Sequence, residues 1–346
     1  MTVSLYSLTF PIEVQGRCPQ FESGVSVGTL QSPLVNEASG IAASRRNQHV
    51  LWVHNDRGDS ARIFAMNIAG THLGIYYLSG ADATDWEVMA IGPGPVDGAD
   101  YLYIGDIGDN SATRCSIRVY RVVEPVVDAN QPPVTKTLTG VHTITLRYPD
   151  GPRDAESLMV DPLTKDIYVI SKRERRSRLY RAAYPQSTSA SVTMEYKCSL
   201  PWGRTTSGDI SPNGSEVIVR GYNSASIWQR QADAELWEAF ANPQCKVALL
   251  HESQGEAICF VKDFACGYLT VSENQYQPIY YFKRILKGDI DGDCDVDMAD
   301  MKEFIDWWLV TNCSLSNDCN GTDLCEDNEV NFADFAVLAQ YWLFGK

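Results

Sequence analysis

The sequence predicts a mainly β chain: a β-propeller of five blades, with six as the alternative, followed by a small α-helical module built on two paired acidic loops. Three observations carry this reading. A strand-pair motif opening on an acidic residue recurs at positions 37, 87, 156, 209 and 256 of the 346-residue chain. Short apolar strands separated by polar turns fill the intervals. An acidic twelve-residue pattern at 289–300 returns 34 residues later, and each copy is followed by apolar residues at helical spacing.

The propeller elements follow in chain order. Glu37 opens a pair ending in LWVHND (51–56), and Glu87 one ending in YLYIGD (101–106). Glu156 leads to IYVISK (167–172), Asp209 to VIVR (217–220) and Glu256 to YLTVSE (268–273). Third strands follow at 62–66, 117–121 and 178–181. Four strands per roughly 40–50 residues is the signature of a propeller blade. The fifth unit lacks room for a fourth strand before the tail, so residues 25–30 are expected to supply it and close the ring. The interval of 69 residues between Glu87 and Glu156 is where a sixth blade would hide. The expected division is an N-terminal extension at 1–24, a propeller at 25–286 and a tail module at 288–346.

Propeller geometry makes the repeated acid informative. The start of a blade's first strand and the end of its second meet at one mouth of the central channel. Glu37, Glu87, Glu156, Asp209 and Glu256 are therefore expected to ring that mouth. His54, Asp56, Asp106, Asp109, Lys172, Arg220 and Glu273 fall beside them, with Asp85 and Asp154 on the incoming loops. Five carboxylates in one channel are electrostatically costly without a cation, which predicts a calcium ion at the mouth. The plainer alternative is that these groups only satisfy hydrogen bonds between blades. Trp86, Trp202 and Trp228 are candidate platforms for sugar rings.

In the tail, DIDGDCDVDMAD (289–300) places carboxylates at loop positions 1, 3, 5, 7, 9 and 12. Calcium takes about six to eight oxygens, and a twelve-residue loop offers them at such positions. The expected ligands are Asp289, Asp291, Asp293, Asp295 and Asp300, with Asp295 acting through its backbone carbonyl. Val296 is expected to form a short strand pairing the two loops. The copy DLCEDNEVNFAD (323–334) supplies Asp323, Asp327, Glu329 and Asp334, and Cys325 replaces an oxygen ligand at position 3, weakening that site. Cys294 stands at position 6, where the turn favours a positive φ. After each loop, Met301, Phe304, Ile305, Trp307, Trp308 and Leu309 match Phe335, Leu338, Ala339, Tyr341, Trp342 and Leu343. These predict two amphipathic helices around a core so small that bound calcium supplies much of the folding energy.

Charge and cysteine usage agree. From Gly288 onward there are 14 Asp/Glu against two Lys/Arg, which is −12 of a formal net −15. A tail of this sign excludes nucleic acid and anionic membrane as natural partners and suits a hard cation. Ten cysteines, with no CxxC pair, fit an oxidising compartment and disulfide bonds better than a zinc site. Cys259 and Cys266 flank the expected hairpin of blade five and could bridge it. No apolar run approaches the roughly 18 residues of a membrane span. The start MTVSLYSLTF lacks the basic segment of a secretory signal. The chain is therefore read as beginning inside a longer precursor, or with its start misplaced, and as extracellular or cell-surface.

Two resemblances add to this. Two calcium loops with Asp at position 12, each followed by one helix, resemble a type I dockerin, and NFADFAVLAQYWL is similar to those ending secreted proteins of planctomycete-type bacteria. That resemblance covers 288–346 and implies docking onto a cohesin-like protein, often in polysaccharide degradation. The cohesin-selecting positions 10 and 11 are Met298-Ala299 and Phe332-Ala333, in place of the common Ser/Thr pairs. Upstream, NEASGI, HND, DWE, YLYIGDIGDN, DAESL, SGDISP and QGEAI resemble an uncharacterised family of bacterial secreted propellers across most of 33–285. A looser architectural similarity, to the five-bladed calcium-dependent apyrases, rests on one acid per blade and a YLYIGDIGDN-like strand and loop.

No GxSxG elbow, HExxH helix or Walker loop is present, so no catalytic residue can be assigned. The favoured expectation is a secreted propeller that binds glycan or peptide and is tethered through its calcium-loaded tail. The alternative is a metal-dependent hydrolase acting on a phosphoester, lactone or glycosidic bond at the acidic mouth.

Overall fold

A computed structural model describes residues 18–261 and 266–342. Residues 1–17 of the expected extension, and Leu343 of the second helical repeat, lie outside them. The described strands form five sheets. The innermost strands are Ala38–Ala43, Trp86–Pro93, Ala155–Val160, Thr205–Ile210 and Gly255–Val261. Each packs against its two neighbours in cyclic order, the fifth against the first, so the chain forms a five-bladed propeller.

The inner strands are buried along almost their whole length because both faces of each blade are covered. Successive side chains of a strand point to opposite faces. Val88 and Ala90 pack against blade three, while Met89 and Ile91 pack against blade one. Leu158 faces blade two and Met159 faces blade four. Each such burial contributes about 1.5–3 kcal/mol. A strand serving two cores has no solvent face, so the polar residues it carries are themselves buried and must find partners within the ring.

The long second interval holds no sixth blade. Its extra strand, Val134–Leu138, crosses back and pairs in parallel with His72–Leu78 on the outer edge of blade one. Blade two resumes with His142–Arg147, antiparallel to Ile117–Val123. The ring closes through Val25–Thr29, antiparallel to Pro278–Ile285 of blade five. Gln20–Phe21 continues along the same strand, Gln20 opposite Ile285, so blade five takes in residues upstream of position 25.

Two disulfides are present, Cys18–Cys245 and Cys313–Cys319. The expected Cys259–Cys266 bridge does not form. Cys259 lies opposite Leu269 with its thiol in the core between blades five and one, and Cys266 falls beyond the end of the pairing. Cys18–Cys245 instead ties the closing strand to the outer edge of blade four, across a sequence separation of 227. A crosslink closing so long a loop restricts the unfolded chain strongly. The Cys245→Ser variant is expected to lose about 2–4 kcal/mol, read as a lower denaturant midpoint. A midpoint unchanged under non-reducing conditions would refute that role.

The tail carries two nine-residue helices, Met298–Asp306 and Phe332–Gln340. They pack around Val296, Phe304, Cys313, Cys319, Leu324, Val330 and Leu338. The helices are shorter than the apolar pattern implied. Ile305 and Leu309 of that pattern are exposed, and Trp307 and Tyr341 are the C-terminal caps, both with φ −105° and ψ 4°. The expected pairing through Val296 is also replaced. Val330 exchanges backbone hydrogen bonds with the segment after the first helix, accepting from Leu309 N and donating to Val310 O, both at 2.9 Å.

Candidate functional site

Each inner strand begins with a register shift that leaves its second residue unpaired. The five residues so placed are Ser39, Glu87, Glu156, Thr206 and Glu256. A bulge of this kind re-aims its side chain out of the ladder. The mouth therefore holds three repeated carboxylates and two hydroxyls, not five acids. Glu37 lies two residues upstream of Ser39 on the exposed rim, where its backbone carbonyl accepts from Asp56 N at 2.8 Å. Asp209 lies three residues beyond Thr206 and is buried, accepting from Phe260 N at 2.9 Å and Ile210 N at 2.8 Å. Burial pushes its carboxyl up to about 6, and it binds blade four to blade five away from the mouth.

Around Glu87 the mouth is acidic and sparsely compensated. Carboxylate oxygens of Asp56, Asp85 and Glu87 lie within 4.8 Å of one another. Asp85 is 9% exposed, and its Oδ1 has no hydrogen-bond partner among the described residues. Burial, then the Glu156 and Asp56 charges, hold Glu87 well above the usual carboxylate range. Burial and then Asp56 raise Asp85. Gly108 makes the cluster sterically feasible: a Cβ there would lie 2.3 Å from Glu87 Oε1 and 2.6 Å from Asp85 Oδ2.

Behind the cluster, the GDIGDN loop is held by its own acids. Asp106 accepts from Asp85 N at 3.1 Å and pairs with Arg114 at 3.0 Å. Asp109 accepts from Thr113 N at 2.9 Å and Arg114 N at 2.7 Å. Asp154 takes Asp109 N at 2.8 Å and Arg173 Nε at 2.6 Å. Asp109 and Asp154 shape the wall of the mouth, while Asp106 keeps one buried oxygen, Oδ2, without a hydrogen-bond partner among the described residues.

On the far side, Lys172 bonds Glu156 and the Tyr222 hydroxyl, the latter at 2.8 Å. Burial, then the Glu256 charge, push Glu156 up to about 9 against the pull of Lys172. Burial, then Glu256 and Asp56, bring Glu273 up to about 8. The mouth thus gathers carboxyl groups that disfavour one another's charged forms, with Lys172, Arg57 and Arg114 as the cations acting on them.

Two expected members belong to the blade interfaces. His54 is fully buried, edge-on to Trp86 at 5.6 Å, with Nδ1 2.7 Å from Asn55 O, and burial lowers its pKa. Arg220 is fully buried between blades four and five, pairing with Glu252 at 2.7 Å and donating to Ala257 O at 3.0 Å. Nor are the tryptophans open platforms. Trp86 and Trp228 are 2% and 1% exposed, and Trp202 donates to Gln244 at 2.9 Å while packing on Trp228. Glu252, Tyr222 and Gly108 were missed by sequence reasoning. The pattern GDIGD, a glycine between repeated aspartates, was the available signal for the last.

The two tail loops share one backbone. Position 6 has φ 78° at Cys294 and 75° at Asn328, and the helices are capped alike by Asp297 with Asp300 and by Asn331 with Asp334. In the first loop, ligand atoms of Asp289, Asp291 and Asp300 converge, as do those of Asp295, Asp297 and Asp300. Asp289 Oδ1 is buried without a partner among the described residues, and burial, then Asp300, push that carboxyl up to about 6. In the second loop, Asp323, Cys325, Asp327 and Asp334 converge, so the thiol occupies the place of the missing oxygen. The side chains of Asp293 and Glu329 stand outside these groups. Asp293 accepts from Asp295 N at 3.1 Å, and the backbone of Glu329 forms an isolated antiparallel bridge with Thr311.

No family model matches the chain, and no curated protein matches its sequence. Solved structures similar to it include the hydrazine synthase of Kuenenia stuttgartiensis, at 13% identity and TM-score 0.37, over 70% of this chain and 57% of that one. A functionally unknown protein from Desulfotomaculum acetoxidans DSM 771 is similar at 11% identity and TM-score 0.33, over 69% and 71%. A nidogen/laminin complex is similar at 11% identity and TM-score 0.36, over 69% and 73%. This chain therefore spans little more than half of the hydrazine synthase chain.

Proposed function

We propose that the chain is a secreted, calcium-binding modular protein whose propeller binds a glycan or peptide at its acidic mouth and is tethered through its tail to a cohesin-like or cell-surface partner. The observation that carries the reading is the tail's paired loops, two copies of one backbone with their carboxyl oxygens gathered inward. Oxygen-rich donor sets of this kind suit calcium, and Asp289 offers a buried oxygen that has no hydrogen-bond partner among the described residues. An exposed apolar face supports docking. Met298 and Phe332, at position 10 of each loop, are 67% and 76% exposed, and Ile305 is 60% exposed.

The propeller mouth is a second candidate for calcium, held by Asp56, Asp85 and Glu87. Calcium titration of the full chain by calorimetry tests both sites. Wild-type protein is expected to bind at the tail and at the mouth. Gly108→Ala, which drives a methyl group into Asp85 and Glu87, is expected to remove the mouth site and leave the tail sites unchanged. Wild-type stoichiometry in that variant would overturn the mouth site, and an Asp289→Ala variant that still fills its first loop would overturn the tail reading.

One observation favours the alternative of a metal-dependent hydrolase. The acidic cluster shares its mouth with the Lys172–Tyr222 pair, so a cation site and proton donors face one opening. A propeller turning over phosphoester, lactone or glycoside substrates, with activity lost in Glu87→Gln, would select that reading over pure binding.

No helix of the described residues is long and apolar enough to cross a membrane.

A further inference from the structure

Cys266 immediately precedes the second strand of blade five, Gly267–Ser272, and Cys294 sits at position 6 of the first tail loop. Their sulfurs, together with a carboxyl oxygen of Asp289, lie within 4.8 Å of one another, and Cys294 Sγ also touches the backbone nitrogen of Cys266. The two thiols form one wall of a cleft of about 360 Å³ between the propeller and the tail, lined also by Glu216, Phe260, Arg284 and Asp293. Cys294 reaches this place at φ 78°, a left-handed conformation that is unfavourable for a residue with a Cβ and that glycine would adopt freely. In the second loop the same position is Asn328, at φ 75°. The loop therefore keeps a strained cysteine where its copy has a residue better suited to the turn, and that cysteine is aimed across a module boundary at another.

We propose that Cys266 and Cys294 form a third disulfide, which locks the first tail loop to blade five. The oxidant is a small disulfide such as oxidised glutathione. One protein thiolate attacks it, giving a mixed disulfide and releasing one glutathione thiolate. The second protein thiolate then displaces the other glutathione. Two electrons pass from the protein sulfurs to the glutathione sulfurs, and the two thiol protons end on the two glutathione molecules. The closed bond joins a module with a small core to the large propeller, so the tail's first loop stays seated when the rest of the tail loosens.

Thiol counting on the full chain tests this. With ten cysteines and the disulfides Cys18–Cys245 and Cys313–Cys319, a third bond leaves four reactive thiols in denaturant after equilibration with oxidised glutathione, and its absence leaves six. Cys266→Ser and Cys294→Ser should each give five. Non-reducing tryptic digestion should yield one species joining fragment 263–283 to fragment 288–302. Six thiols without that species, or a link from Cys266 to the fragment holding Cys259, would overturn the proposal. So would two thiols shielded by a metal and recovered on chelation. A variant that fails to fold leaves the wild-type count and peptide map to decide.

Discussion

Replacing Glu252 by alanine is expected to destabilise the propeller by about 3–5 kcal/mol, the largest effect of any single substitution considered. Glu252 and Arg220 have side chains 1% and 0% exposed and meet at 2.7 Å. The second carboxylate oxygen takes the Thr270 hydroxyl at 2.9 Å, and Arg220 also donates to Ala257 O at 3.0 Å. Removing the acid leaves a guanidinium between blades four and five with carbonyls to bond but without its ion-pair partner. Desolvation of that charge, not the loss of one hydrogen bond, sets the size of the effect. Gly255 has no room for adjustment, since a Cβ there would lie 1.9 Å from Arg220 Nη2. Urea denaturation followed by near-ultraviolet circular dichroism measures the change. A loss below about 1 kcal/mol would mean that water reaches Arg220 and that the pair is not the interface clamp described. The double variant Glu252→Leu with Arg220→Met should recover much of the loss, because an apolar pair carries no unpaired charge.

Chelation is expected to unfold the tail before the propeller. A cation bound only to the folded state stabilises it by about 4 kcal/mol at a free concentration a thousand-fold above Kd. The tail core comprises seven buried side chains, too few to offset the order of two loops and two short helices unaided. A melt in excess calcium should therefore show the tail transition at a higher temperature than a melt in chelator, with the propeller transition nearly unmoved. Trp308, edge-on to Phe332 at 5.1 Å, is a fluorescent reporter placed between the two helices. A tail transition at the same temperature in both conditions would remove calcium from the account of its stability.

Much of the fold was legible because its logic is repetitive. Every inner strand is flanked by two blades, so a similar strand, turn and returning apolar strand recurs five times, and the ring-closing strand at 25–29 follows from the short fifth unit. The mouth was harder to read. Its register is set by bulges, and a bulge displaces the pattern by one residue without leaving a mark in composition. Asp209 lies three positions from Thr206, the bulged site of its blade, and is buried away from the mouth, whereas Glu37, two positions from Ser39, stands on the rim close enough to act on Asp56 and Glu273. Disulfides were less legible still, because Cys18 and Cys245 are neighbours only after the ring closes. In the tail, the loop spacing located the convergent side chains, yet the partner of Val330 depends on how the chain turns after the first helix.

The strand Val134–Leu138 has a consequence for how the chain reaches this structure. Blade one begins at Ala38 but gains its outermost strand from residues that follow three strands of blade two. Blade five needs Val25–Thr29, nearly 250 residues from its partner Pro278–Ile285. A chain emerging from the ribosome therefore holds two incomplete blades with open sheet edges until distant segments arrive. Folding of such non-local pairings is slow and exposes unpaired edges. Synthesis interrupted before residue 285 should leave a ring with a missing staple and a tendency to pair with copies of itself, whereas the finished chain has both edges covered.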